Sequence, residues 1–439
     1  MRTVVRLLPL VLCLVGIALL AVAVAPRDPD LVVEFTAEEV ERILRHSDLP
    51  PAPADPTNAV ADLPPARDFG RALFVHEGLS PSGEFSCVTC HDPRRGFSNG
   101  KRFGEAAGRS PRHASSLWNV AYKRWFNWDG SADTLWGQGV RPFELDHELA
   151  GSRVHVVRAI AADPRLRRAY ERLFGRLPEG LDDAARFPPD ARPMPEQPDH
   201  PRHRAWLRMS ESDRELVNSI LINAMKAIAA FQRSLIAHDA PFDRFAAGLR
   251  DGDPLALRAL TPAAQRGLKL FVTEAVHCRT CHSGPNFSDG EFHNLGLPPV
   301  DGGRPRDPGR YEGIRLAQAS TWRGSGSWSD APDHPAARTV DRLLRSPETW
   351  GQFKTPSLRN VALSPPYMHQ GHFADLEAVV EFYSTLEGRI AGHHEDPILV
   401  PLQLGDAQIN DLIAFLESLT DEDDRARHDA GPESAPDPG

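Results

Sequence analysis

The chain has 439 residues, of which 41% are hydrophobic and 25% are charged, as in ordinary soluble globular proteins. This length predicts two or three domains, each with its own buried core. The formal net charge of -10 at pH 7 argues against nucleic acid as a partner, because binding to phosphates requires a basic surface.

The N-terminal segment, residues 1–25, has the pattern of an export signal. Two arginines precede an apolar run over residues 7–25, with a possible cleavage point at Ala21–Ala23. The run is long enough that an uncleaved N-terminal membrane anchor stays an alternative. We interpret Cys13 as part of this signal. In both cases we expect an exported, periplasmic protein, and a Pro-rich lead follows at residues 26–60.

The four other cysteines form two Cys-x-x-Cys-His motifs, 191 residues apart. In an exported protein four cysteines are able to form two disulfides, but a disulfide framework does not require a histidine directly after each pair. A zinc site needs four ligands close together, which nothing in this spacing provides. Cys-x-x-Cys-His is the attachment motif of c-type haem, with two thioethers and an iron-ligating histidine. The predicted residues are Cys87, Cys90 and His91, and Cys278, Cys281 and His282.

Each motif lies in a diverged internal repeat. "GRALF" (70–74) precedes the first motif and "GLKLF" (267–271) precedes the second. Similar turns follow, "FSNG" (97–100) and "FSDG" (287–290). The repeat predicts two cytochrome-like modules, each a helix, a haem-binding turn and a loop.

Helical patterns dominate the rest of the chain. Residues 212–239 begin with a predicted capping box, Ser212 to Glu215, and continue as an apolar stripe. Two further helices are predicted with caps at Asp375 and Asp406. Because alternating strand patterns are scarce, we predict a mostly α protein of two cytochrome c-like haem domains with long loops.

The predicted domains are 61–245 for the first haem and 246–420 for the second. Residues 421–439 are polar and are expected to be a disordered tail.

Three stretches resemble the bacterial di-haem cytochrome c peroxidases and the related MauG-like enzymes. They are "RHASSLWNVAYKRWFNWDGSADTLWGQGVRPFELDHEL" (112–149), "AIAAFQRSLIAHDAPFDRF" (227–245) and "FKTPSLRNVALSPPYMHQGHFADLEAVVEFY" (353–383). The resemblance covers roughly residues 61–420, with the motifs in the family's order. It implies a peroxide-reacting haem in the N-terminal domain and an electron-relay haem in the C-terminal domain.

The resemblance also implies roles for individual residues. His91 and His282 are the expected proximal ligands of the two irons. Glu148 is the expected acid–base catalyst, since one carboxyl group held over iron is able to move the peroxide proton between its oxygens. Gln138 is the expected hydrogen-bonding partner in the same pocket, and Trp128 the expected electron relay between the haems. Core packing for Trp128 and ordinary solvation for Glu148 are the alternatives.

The branch of the family depends on the sixth ligand of the second iron. The classical peroxidases place a methionine where this chain has Tyr383, and MauG places a tyrosine. A phenolate favours oxidised iron, whereas a methionine thioether favours reduced iron. The alternative for Tyr383 is an ordinary core residue, and nearby rival ligands are Met368, His369 and His372.

Two further features depart from or test the family pattern. Members that require reductive activation carry a histidine in the loop after the first motif, and residues 92–109 contain none. We therefore expect an open, high-spin first haem. The family's calcium site maps to the carbonyls of Ser364 and Pro366 and to a side chain at His113, where an asparagine is usual. Calcium prefers oxygen, so calcium is a possible cofactor that this histidine disfavours.

Together these residues predict an exported enzyme that carries two covalently bound c-type haems and consumes hydrogen peroxide. In the MauG-like interpretation it stores the oxidising equivalents on both haems and oxidises a protein partner. The alternative is a cytochrome c peroxidase that detoxifies peroxide with electrons from a small cytochrome or cupredoxin. A third possibility is an electron-transfer cytochrome with two six-coordinate irons and no catalysis.

Overall fold

A computed structural model describes residues 33–304, 306–390, 394 and 396–424. The predicted export signal, residues 1–25, lies outside this part of the chain, as does most of the predicted tail. Within the described residues, no helix combines the length and the apolarity needed to cross a lipid bilayer.

The described chain is mostly helical, as the sequence predicted, with one two-residue antiparallel ribbon. The first nine helices are α1 (Ala37–Leu44), α2 (Pro64–Phe74), α3 (Cys87–Cys90), α4 (Leu135–Gln138), α5 (Val140–Glu144), α6 (Arg153–Ala162), α7 (Pro164–Phe174), α8 (Pro201–Arg208) and α9 (Glu211–Arg233). The others are α10 (Pro241–Asp251), α11 (Pro254–Leu257), α12 (Pro262–Val272), α13 (Cys278–Cys281), α14 (Arg310–Ala319), α15 (Leu376–Thr385) and α16 (Asp406–Glu417). Short 3-10 helices lie at Glu77–Leu79, Pro93–Arg95, Val120–Tyr122, Val340–Arg342, Pro347–Thr349 and Val361–Leu363. The ribbon pairs β1 (Phe292–His293) with β2 (Phe353–Lys354).

Two hydrophobic cores divide these helices. The first is built around the long helix α9, against which α2, α4 and α6 pack. The second is built around the crossing of α12 and α16 and includes a cluster of phenylalanines. Helix α10 spans the expected boundary at residue 245, and its Phe242 and Phe245 are fully buried in the second core.

Both ends of the described chain are more ordered than the composition suggests. Within the Pro-rich lead, α1 begins at a Thr36 capping box and places Ile43, which is 0% exposed, in the second core. At the other end, Asp421 is part of the folded structure. Its backbone N–H donates to the Asn360 side chain at 2.9 Å, and its own side chain is buried. Asp424 accepts a hydrogen bond from the Asn360 amide at 2.9 Å. The tail therefore begins later than residue 421.

Two of the three predicted caps were placed wrongly. Helix α9 begins two residues earlier than predicted, because Ser210 rather than Ser212 accepts the Asp213 N–H, at 3.1 Å. Helix α16 is capped by Gly405, and the predicted cap Asp406 is its first residue. The Asp375 cap of α15 is confirmed, with its carboxylate accepting the Ala378 N–H at 2.9 Å.

The glycines that open the two repeats sit where helices cross most closely. A Cβ at Gly70 in α2 would lie 1.9 Å from the Ala227 carbonyl oxygen of α9. A Cβ at Gly267 in α12 would lie 1.9 Å from the Asp411 carbonyl oxygen of α16. The shared glycine of "GRALF" and "GLKLF" thus has one physical cause, a helix backbone in direct contact with its partner.

We expect Gly267→Ala to lower the free energy of unfolding by roughly 3 kcal/mol, since the added methyl group forces the two backbones apart. The matched control is Gly405→Ala, where the nearest atom is 4.0 Å from the added carbon and the expected loss is less than about 1 kcal/mol. Guanidinium unfolding of the two variants measures the difference. Equal stability would show that α12 and α16 do not depend on this contact.

Candidate functional site

The first Cys-x-x-Cys pair forms a single helical turn, α3, at the edge of a cavity of about 320 Å³. The second pair forms the equivalent turn, α13, at a cavity of about 380 Å³. Within the described residues, none of the four motif cysteines forms a disulfide, which is against the disulfide alternative. Burial raises the pKa of Cys87 to about 12 and that of Cys90 to about 11, and both residues line the first cavity.

The histidine after each pair has one nitrogen fixed and one free. The Nδ1–H of His91 donates to the Phe97 carbonyl at 2.9 Å, and the Nδ1–H of His282 donates to the Phe287 carbonyl at 3.1 Å. Since a carbonyl only accepts, Nδ1 carries the proton and Nε2 keeps its lone pair. Both phenylalanines adopt positive φ, 57° and 49°, which turns the carbonyl back toward the ring.

Two thiols and one imidazole with a free Nε2 are the protein groups that a c-type haem requires. Both cavities carry this set in the same local geometry, so the residues present fit two haems. Haem supplies an iron that binds peroxide and exchanges electrons.

A carboxyl group and an amide line the side of the first cavity beyond His91. Glu148 and Gln138 both face it, together with Pro142. Burial raises the pKa of the Glu148 carboxyl, and the charge of Arg141 partly opposes this. The Gln138 amide donates to the Asn127 side chain at 3.3 Å. The structure therefore places the two predicted residues in the lining of the same cavity.

Trp128 lines both cavities. Its indole Nε1–H donates to the His113 carbonyl at 2.9 Å, and its own carbonyl accepts the Lys354 N–H at 2.8 Å. One hydrogen bond thus fixes the indole and the other fixes the Trp128 backbone.

The second cavity contains Tyr383, which α15 presents to it together with Val379. Burial is the largest cause of a raised pKa for this phenol, and its hydroxyl makes no hydrogen bond within the described residues. Of the rival ligands, His372 does not line this cavity, because its Nε2–H donates to the Pro298 carbonyl at 3.0 Å. His369 lines it but stacks on the Phe353 ring at 3.6 Å.

The two halves are related by an internal repeat that extends through both cavities, with equivalent residues 241 positions apart. Asn119 and Asn360 are both left-handed and both begin a 3-10 turn. Thr134 and Asp375 each cap the helix that follows. Isolated bridges also match, Phe126 with Ala132 and Tyr367 with Phe373.

This correspondence pairs Pro142 with Tyr383, which are 241 positions apart. The haem motifs are 191 positions apart, so their spacing does not predict this pair. Each residue lines its own cavity. Proline carries no donor atom on its side chain, whereas tyrosine carries a phenol oxygen. The same backbone position therefore offers an iron ligand in the second cavity and none in the first.

Calcium does not fit the residues at its expected place. Both ring nitrogens of His113 are already engaged, Nδ1 with the Lys101 carbonyl at 2.9 Å and Nε2 with the Ser98 hydroxyl at 3.1 Å. The His113 side chain therefore supplies no oxygen ligand that could bind calcium together with the carbonyls of Ser364 and Pro366. The imidazole itself connects the loop after the first motif to the wall between the cavities.

Sequence reasoning missed His293, which lies beside the second motif. Its Nε2 contacts the Asp289 carboxylate at 2.9 Å and its Nδ1 contacts Asp396 at 2.6 Å. The hydrogen bond to the Asp289 carboxylate is the largest cause that raises the pKa of His293. Cys281, Asp289 and His293 lie close enough to hold a metal, but a thioether at Cys281 removes that sulfur as a ligand.

Two covalent attachment turns and two free axial nitrogens define a di-haem cytochrome of the c type. Comparison with known proteins gives the family. A model of the "Di-haem cytochrome c peroxidase" family matches residues 64–251. The chain is 31% identical over 357 residues to the methylamine utilization protein MauG of Methylorubrum extorquens, covering 80% of this chain and 77% of that protein. The chain belongs to the di-haem cytochrome c peroxidase and MauG family, and it is a peroxidase-family enzyme with two c-type haems.

Two other similarities are informative. A cytochrome-c peroxidase of Denitromonas iodatirespirans is 30% identical over 384 residues, covering 84% of this chain and 86% of that protein. The crystal structure of a MauG-like protein associated with microbial copper homeostasis is 26% identical, with a TM-score of 0.57, and covers 87% of this chain and 97% of that chain. Relatives from both branches of the family are thus similar to this chain to nearly the same degree.

Proposed function

We propose that this protein is an exported, periplasmic enzyme that reduces hydrogen peroxide and stores the two oxidising equivalents on its two haems, from which it oxidises a protein partner. The observation that carries the proposal is the pairing of Pro142 with Tyr383. Pro142 would offer no ligand to an iron in the first cavity, and the Tyr383 phenol would offer an iron in the second cavity a ligand that favours its oxidised form.

Glu148 moves the proton in the first cavity. With haem bound in this cavity, its carboxylate would take a proton from one peroxide oxygen and return it to the other oxygen, which would leave as water. Gln138 orients the peroxide through its amide. Burial of Glu148 suits this exchange, since a raised pKa makes the protonated and ionised forms closer in free energy.

Trp128 carries electrons between the two sites, and the hydrogen bond from its indole to the His113 carbonyl fixes the ring, which lines both cavities. The oxidised partner docks where the second cavity approaches the surface. Trp350 lines that cavity, is 37% exposed, and contacts the Tyr311 ring at 5.5 Å.

The second candidate is a cytochrome c peroxidase that takes electrons from a small cytochrome or cupredoxin. The similarity to cytochrome-c peroxidases supports it, and Tyr383 is the feature against it, because a methionine-ligated relay haem suits electron uptake better.

The test uses the purified di-haem protein as isolated. We expect one high-spin and one low-spin ferric signal in its electron paramagnetic resonance spectrum, and a stable spectral change after one equivalent of H₂O₂. Rapid steady-state oxidation of a reduced small cytochrome, with no stable change, would favour the second candidate. Two low-spin signals and no response to peroxide would overturn both.

The pH dependence of the peroxide reaction gives a further prediction. Because the ionised carboxylate is the form that accepts a proton, the rate is expected to rise with pH through an apparent pKa above 4.5, the direction in which burial shifts Glu148. Stopped-flow rates measured between pH 4 and pH 9 would locate this rising limb of the pH–rate profile. The limb is expected to disappear in Glu148→Gln, and its persistence there would assign it to another group.

A further inference from the structure

Two lysines lie in the wall between the haem cavities. Lys123 follows the 3-10 turn Val120–Tyr122, and Lys354 ends the strand β2. Each lysine lines both cavities, as Trp128 does. The wall between the two haem sites therefore carries two ammonium groups besides the indole.

Neither ammonium group is neutralised by the protein. Within the described residues neither lysine makes an ion pair, and the Lys123 ammonium donates only to the Ser116 carbonyl, at 3.3 Å. Burial lowers the pKa of Lys123 to about 8. Burial, and then the like charge of Lys123, lower the pKa of Lys354 well below its usual range. Asp129 is the acidic neighbour, but its carboxylate already holds Arg112 at 2.6 Å.

Two other buried basic side chains have acidic partners. Lys226 contacts Asp330 at 2.6 Å, and Arg359 contacts Asp243 at 2.8 Å. Because a buried charge is costly unless paired, the two lysines at the wall call for anions that the polypeptide does not supply. Each haem brings two propionate carboxylates into these cavities.

We propose that Lys123 and Lys354 bind propionates of both haems, so that one shared ammonium pair holds the two cofactors in register across Trp128 and raises the reduction potential of each. A positive charge near the iron favours the reduced state, which carries one positive charge fewer. Since both lysines border both cavities, the loss of one is expected to affect both haems.

The test measures the reduction potentials of both haems in the holoprotein by spectroelectrochemical titration. In Lys354→Gln we expect both reduction potentials to fall by about 59 mV. For a one-electron couple this corresponds to a reduction equilibrium constant about tenfold smaller. Lys354→Arg, which keeps the charge, should stay near the parent protein. The control Lys269→Gln removes an ammonium that pairs with Glu39 at 3.1 Å in the second core's outer layer and should change neither potential.

A second measurement separates charge from structure. Reduced-minus-oxidised infrared difference spectra should show a shifted propionate band in Lys354→Gln and in Lys123→Gln, with two haems still attached by pyridine haemochrome assay. Unchanged potentials and bands in both variants would overturn the proposal. The shared-charge role would be overturned if the reduction potentials fell as far in Lys354→Arg as in Lys354→Gln. It would also be overturned if the potential of only one haem changed.

Discussion

Glu148→Gln is expected to slow the reaction with H₂O₂ by about 10²–10⁴-fold while both haems stay attached, since that is the usual contribution of a positioned acid–base group. Glutamine has nearly the same shape and keeps a hydrogen-bonding oxygen, but it does not accept the peroxide proton. Glu148 lines the first cavity, so the substitution acts directly on the open side of the iron. Stopped-flow absorption after mixing with peroxide measures the effect.

The matched control is Asp146→Asn, two residues away in the same loop. Its side chain is 71% exposed and pairs with Arg192 and Arg202 outside the cavity. We expect its rate with peroxide to stay within about twofold of the parent protein, because Asp146 does not line the cavity and the buried Arg192 keeps its hydrogen bonds to the Glu144 and Gly151 carbonyls. If Glu148→Gln reacted as fast as this control, Glu148 would not be the proton carrier.

Tyr383→Phe is expected to change the second haem alone. Loss of the phenol oxygen removes the proposed sixth ligand, so the low-spin ferric signal should become high-spin. The reduction equilibrium should shift toward ferrous iron by at least about tenfold, or about 59 mV for one electron. The stable spectral change after one equivalent of peroxide should be lost. Electron paramagnetic resonance and spectroelectrochemical titration measure these outcomes.

Tyr367→Phe provides the same chemical change in the same cavity. Its hydroxyl donates to the Val361 carbonyl at 3.2 Å, so we expect the spin state and potential of the second haem to be retained. Tyr383→His keeps a neutral ligand and should restore the low-spin state without the stored oxidation. A low-spin second haem in Tyr383→Phe would instead assign the ligand to Met368 or His369.

Local sequence signals located the attachment sites but not all the element ends. The Cys-x-x-Cys-His spacing is set by the covalent geometry of the haem edge, so the motif can be recognised from the sequence alone. Helix caps are less certain from sequence, because several neighbouring polar side chains compete for the same N–H groups. The N-cap of α9 is Ser210 instead of Ser212, and the N-cap of α16 is Gly405 instead of Asp406.

The family resemblance supplied candidates for the site, and the structure showed which of them share a cavity. Gln138 and Glu148 face the first cavity, Tyr383 faces the second, and Trp128 faces both. The sequence made calcium doubtful because of His113, and the ring nitrogens of this residue already have partners 12 and 15 positions earlier in the chain. Only the folded loop brings those partners to the ring.

By itself the sequence determined the covalent chemistry, the mostly helical architecture and the family, because bond spacing and helical periodicity act over a few residues. Tertiary structure alone decided the asymmetry of Pro142 and Tyr383 and the shared lysine pair. Pro142 and Tyr383 line different cavities, whereas Lys123 and Lys354 line both, and the two residues of each pair are more than 200 positions apart in the chain. The physical reason is that an iron ligand or a buried charge is defined by the groups opposite it, and adjacency in sequence does not specify those groups.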